Sequence, residues 1–93
     1  MVDLHYLKTF VEVVATNSFT AAAINLGCSQ STVTFHIKAL EREIGVDLLD
    51  RFRFARTISL TEAGRRVHGT ALRLLALAEE IKPAIPKMPR AQR

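Results

Sequence analysis

The stretch that most constrains this 93-residue chain is residues 18–37, SFTAAAINLGCSQSTVTFHI. Ser18 and Ser29 are both good helix N-caps, and Gly27 between them supplies the positive φ that stops a helix sharply. The spacing predicts a short helix, a tight turn and a second helix opening at Ser29. The first is rich in alanine (Ala21, Ala22, Ala23), which favours helix and lets another backbone come close. A chain carrying this unit is expected to be mainly α.

The flanks extend the pattern. Asp3 can cap an earlier helix in which Leu4, Leu7, Phe10, Val11 and Val14 recur at three- and four-residue steps until Thr16-Asn17. In the helix expected over 29–44, Val33, Ile37, Leu40 and Ile44 form the inward seam. At 100° per residue, Ser31, Phe35, Lys38 and Arg42 fall opposite it, with Thr34 at the flank. Gly45 stops the helix. Beyond it the period shortens: RFRF and TISL alternate around Ala55-Arg56, which predicts a small β-hairpin over about 48–60. Thr61 can cap a long helix reaching about Lys82, where Pro83 is expected to end it. Val67, Leu74 and Ile81 repeat every seven, with Thr70 and Leu77 between them, as in a coiled-coil seam. That stripe is longer than so small a domain can cover, so a second copy is its expected partner. Pro83, Pro86 and Pro89 then mark an extended tail or linker.

The organisation expected is therefore a helix-turn-helix (18–37) with a small hairpin (about 48–60) within 1–60, a long dimerisation helix over 61–82, and a proline-rich segment over 83–93. Charge is divided along this order. Residues 1–50 hold three Lys/Arg against six Asp/Glu, and residues 51–93 hold ten against three, within a net charge of +4. The basic half suits a polyanion.

A helix-turn-helix with a polar outer face is how a recognition helix is presented to the DNA major groove. Ser18 and Thr20 lie at a helix N-terminus, which attracts phosphate. Ser29, Gln30, Ser31, Thr34 and Phe35 lie on the first turns of the recognition helix. Gln30 can pair bidentately with adenine, Ser31 and Thr34 can bond to bases or phosphates, and Phe35 can meet a thymine methyl or a sugar edge. The other placement for Phe35 is against Phe54 or the hairpin. His36 and Lys38 can reach bases or phosphate. Arg51, Arg53 and Arg56 on a protruding ribbon suit a backbone or a narrow minor groove.

Other classes have less support. Cys28 is the one cysteine, so no internal disulfide framework is possible. His5, His36 and His68 match no metal spacing, and no nucleophile–base–orienter set or glycine-rich phosphate loop is present. The reading is not an enzyme, with no metal and no cofactor in this chain. A protein-interaction module, with the long helix docked on another protein, is the rival. MVDLHYLK lacks a cationic region before an apolar run, and Arg73 interrupts ALRLLALA, so no signal peptide or membrane span is expected. A cytoplasmic, nucleoid-associated location follows as the expectation.

Taken together, FVEVVATNSFTAAAINL, SQSTVTFHIKALEREIGVDLLDR and ISLTEAG make the chain similar to the N-terminal DNA-binding region of LysR-type transcriptional regulators, from Leu4 to about Ile81. The resemblance implies a winged helix-turn-helix and a linker helix that pairs in an antiparallel homodimer on an interrupted inverted repeat in promoters. It also implies a separate C-terminal domain that senses a small-molecule effector, with a tetramer open to the full-length protein. Nothing in the 93 residues corresponds to that domain, so the chain is expected to be either a fragment of a longer regulator, the reading preferred, or a natural short form. By resemblance, Ser29 and Gln30 match the Ser-Gln at the start of the recognition helix, Thr34 stands where Ser is frequent, and Arg51 matches the wing arginine. Phe35 and Ala21 depart from the pattern at positions where basic residues are common. Leu49 replaces a common Phe, and Gly69 interrupts the linker helix, where it is expected to allow close packing at the dimer seam.

Overall fold

The computed structural model describes residues 2–50 and 58–84, with side chains through Ile81. Four helices follow in order: α1 (Leu4–Thr16), α2 (Phe19–Leu26), α3 (Gln30–Ile44) and α4 (Glu62–Ala84). Each junction has a local cause. Asp3 caps α1 by accepting the His5 N–H at 2.7 Å. Asn17 ends α1 in the left-handed region at φ 55°, and its Oδ1 accepts the Ile58 N–H at 2.6 Å, tying the α1–α2 corner to the segment before α4. Ser18 caps α2 through the Ala21 N–H at 3.0 Å, and Ser29 caps α3 through the Thr32 N–H at 3.1 Å. Gly27 (φ 73°) and Gly45 (φ 89°) close α2 and α3 in conformations that disfavour a side chain.

α1 packs against all three other helices. The core joins Leu7, Phe10 and Val13 of α1, Ala22 and Ala23 of α2, Val33, Ile37 and Leu40 of α3, Leu48 and Leu49, and Ala71 of α4. The inward seam of α3 is as expected, with Ile44 half-buried at its end. On α1 the buried register differs: Val13 is fully buried, whereas Leu4 is 46% exposed. Leu4 occupies the first position of α1.

Leu49 and Leu60 form an antiparallel bridge, with Asp50 N–H donating to the Ser59 carbonyl at 2.8 Å and Thr61 N–H to that of Leu48 at 3.0 Å. This is the base of the expected wing; the remainder, 51–57, lies outside the described residues. Thr61 caps α4 by accepting the Gly64 N–H at 2.9 Å while donating to the Asp47 carbonyl at 2.7 Å. Here the bundle closes tightly, because a Cβ on Gly64 would overlap the Leu48 carbonyl oxygen.

α4 continues past Lys82 through Pro83 to Ala84, where the sequence suggests a stop. A proline lacks one backbone donor, but near a C-terminus that forfeits a single helical bond, and the helix ends one residue later. Only the first half of α4 meets the core, through Gly64, Val67, His68 and Ala71. An added Cβ at Gly69 would meet nothing within 4 Å. The helical turn sets Gly69 about 120° from the centre of the row Val67, Thr70, Leu74, Leu77 and Ile81.

Candidate nucleic-acid interface

Because Val33, Ile37 and Leu40 turn inward, α3 must turn its opposite side to solvent. Ser31, Phe35, Lys38 and Arg42 are exposed along that side, and Thr34 is half-buried at its edge. The row advances by four, three and four residues and so runs about 16 Å along the helix. It combines a hydroxyl, an aromatic ring and two cations.

At the start of α3 the two helices of the unit meet. Thr20 Oγ1 donates to Gln30 Oε1 at 3.1 Å, so the exposed side chains from the first turns of α2 and α3 form one surface. That bond uses one lone pair of the Gln30 carbonyl and leaves its amide protons directed elsewhere. Ser29 Oγ, besides capping α3, lies 3.1 Å from Ser31 Oγ and 2.9 Å from Thr32 Oγ1. Ser18 is half-buried as the cap of α2.

His36, half-buried, makes contacts with α1 that its place in the sequence does not announce. Its Nδ1 lies 2.7 Å from Thr9 Oγ1, and its ring stacks on Tyr6 with centroids 4.8 Å apart. One residue beyond Phe35, the 100° rotation carries it towards α1, where the hydroxyl of Thr9 is buried (2% exposed). His36 thus joins α3 to α1 and stands apart from the exposed row. Phe35 is 54% exposed and lies edge-on to Tyr6 at 6.2 Å; Phe54, its other expected partner, lies outside the described residues. Arg51, Arg53 and Arg56 lie outside the described residues.

On α4, Thr70, Leu74, Leu77 and Ile81 are exposed and Val67 is half-buried. Leu77 and Ile81 are 61% and 57% exposed. Leu74, Val67 and Ala71 continue inward into an apolar groove shared with Val2, Leu7 and Ile44. Of the basic residues in the first turns of α4, Arg66 pairs with Glu62 at 3.7 Å, a fully solvated pair of little energetic weight.

Three contributors are not legible in the sequence. Tyr6 and Thr9 form the α1 side of the Phe35–His36 contact. Glu41, 9% exposed, accepts the Leu48 N–H at 2.8 Å and that of Leu49 at 3.3 Å. The one signal for Glu41 is its position beside the apolar seam, one turn before Gly45. Among the described residues no three His, Cys, Asp or Glu side chains gather as a metal site, and no helix is long and apolar enough to cross a membrane.

The family model described as "Bacterial regulatory helix-turn-helix protein, lysR family" matches residues 4–65. The chain is 44% identical over 77 residues to the HTH-type transcriptional regulator BudR of Raoultella terrigena, covering 83% of this chain and 26% of that protein. It is 42% identical to BudR of Klebsiella aerogenes, covering 83% of this chain and 52% of that protein. The chain therefore spans about a quarter to a half of these relatives. Among solved structures, a BenM_DBD/catB site 1 DNA complex superposes with a TM-score of 0.82 at 32% identity, covering 89% of this chain and 90% of that one. A CbnR_DBD–DNA complex superposes with a TM-score of 0.80 at 36% identity, covering 89% and 93%.

Proposed function

The chain belongs to the LysR family of bacterial regulatory helix-turn-helix proteins, and from that premise we propose that it binds double-stranded promoter DNA sequence-specifically, as a homodimer joined through α4. The observation that carries this reading is the exposed row Ser31–Phe35–Lys38–Arg42, set opposite the buried seam of α3. A helix with that division fits a major groove about 12 Å wide. The solved neighbours in complex with DNA support the same use of the fold.

In this reading the N-terminal turns of α3 approach base edges through Gln30, Ser31 and Thr34. Lys38 and Arg42 meet phosphates farther along the helix. The N-terminus of α2, with Ser18 and Thr20, receives a phosphate oxygen on its free N–H groups. Arg51, Arg53 and Arg56 supply cations for a flanking minor groove. A two-fold dimer places paired recognition helices at whole helical turns, about 34–36 Å or multiples of it, on an interrupted inverted repeat. Val67, Thr70, Leu74, Leu77 and Ile81 form the subunit seam. The whole protein, longer than this chain in the matched relatives, is proposed to sense a small molecule through a further domain and to act in the cytoplasm, where its DNA lies.

Binding should be driven largely by phosphate neutralisation. For a dimer that neutralises ~6 phosphates, log K against log salt falls with a slope near −5. Titrating a promoter fragment, and random DNA at low salt, measures this. Absence of binding to both, or a salt-independent affinity, overturns the reading and favours a protein-docking role.

A further inference from the structure

Resting on that reading, we propose that Phe35 is a further specificity-determining residue of α3, selecting the 5-methyl group of thymine, and that Tyr6 on α1 is its positioning residue. Phe35 stands in the middle of the exposed row, between Ser31 and Lys38, and is 54% exposed. A phenyl ring has no donor or acceptor for a phosphate or for the polar edge of a base. The apolar feature of the major groove is the thymine methyl. With Lys38 and Arg42 following on the same side of the helix, the cations hold the backbone while the ring meets the base edge.

The ring is held in place before any duplex arrives. Tyr6 approaches Phe35 edge-on, with centroids 6.2 Å apart and planes at 87°. Tyr6 is itself stacked on His36 at 4.8 Å and 31°. The His36 Nδ1 lies 2.7 Å from the hydroxyl of Thr9, which is buried in α1. Thr9 Oγ1 also lies within hydrogen-bond distance of the His5 carbonyl, at 3.0 Å, so the hydroxyl is shared between α1 and His36. A continuous series of contacts, Thr9–His36–Tyr6–Phe35, thus runs from the core to the tip of the ring. Edge-on aromatic contact fixes the direction of a side chain that would otherwise sample several rotamers, so less ordering remains to oppose binding. Tyr6 touches no base in this arrangement; it acts through Phe35.

The test begins with a site selected from random oligonucleotides. Each thymine is then replaced singly by deoxyuridine, which removes the methyl group alone. Fluorescence anisotropy should show wild-type affinity falling about four-fold at a thymine within each half-site, the contribution of one buried methyl group. Phe35→Ala should bind the thymine and deoxyuridine duplexes equally. Tyr6→Leu should narrow the ratio while leaving affinity for random DNA unchanged, and Tyr6→Phe, which keeps the ring, should restore it; circular dichroism verifies each fold. Binding without sensitivity to any methyl, or sensitivity that persists in Phe35→Ala, overturns this inference and leaves the DNA-binding reading standing. Full discrimination in Tyr6→Leu overturns the role of Tyr6. Failure of the wild type to bind any duplex at low salt overturns both.

Discussion

The Oε2 of Glu41, one turn before the end of α3, accepts the backbone N–H of Leu48 at 2.8 Å across the turn at Gly45. The same oxygen receives the Leu49 N–H at 3.3 Å. A buried carboxylate thus satisfies the donors of the segment that leads from the recognition helix into the wing. The Leu48 carbonyl, on the other side of that peptide, accepts from Thr61 at the start of α4. Glu41 therefore links α3, the wing base and the linker helix.

Replacing Glu41 with Ala should leave buried N–H groups without this acceptor, at a cost of about 1–3 kcal/mol for each donor so exposed. Urea denaturation measures the loss. A variant as stable as the wild type would show that the carboxylate is dispensable to the turn.

Gly64 and Gly69, both in α4, should respond oppositely to alanine. A Cβ on Gly64 would meet the Leu48 carbonyl, a backbone atom that cannot swing aside. Gly64→Ala should destabilise by about 1–3 kcal/mol. Gly69 has open space around it, so Gly69→Ala should gain about 1 kcal/mol from helix propensity. Equal shifts in the two unfolding curves would contradict the tight approach at Gly64.

Leu77→Glu should separate the subunits without harming the fold, because Leu77 is 61% exposed within one chain. Sedimentation should find twice the chain mass for the wild type and the single chain mass for the variant. An unchanged mass would remove α4 as the dimer seam.

Lys38→Ala should weaken selected and random duplexes alike. It should also reduce the magnitude of the salt slope by about 1 for each phosphate no longer neutralised. A loss confined to the selected site would make Lys38 a base reader instead.

Much of this architecture is legible in the sequence because its signals are local. Ser18, Ser29 and Thr61 cap the helices they precede, and Val33, Ile37 and Leu40 turn inward as their spacing requires. The outward row of α3 follows from the same periodicity. What escapes such a reading depends on contacts between distant segments. Nothing near His36 in the chain announces Thr9, which lies 27 positions away. Glu41 reads as an ordinary helix-surface carboxylate until the turn at Gly45 folds Leu48 back upon it. Gly64 and Gly69 look alike in sequence, and only the approach of Leu48 distinguishes them. Leu4 fits the apolar period of α1, yet at the first position of that helix it is 46% exposed.

The most direct test of the central claim is a crystal structure of the chain bound to its selected duplex. The account predicts α3 in the major groove, with Gln30 and Ser31 at base edges and Lys38 beside a phosphate. A complex in which the outward row of α3 faces solvent, with the duplex held by another surface, would contradict it.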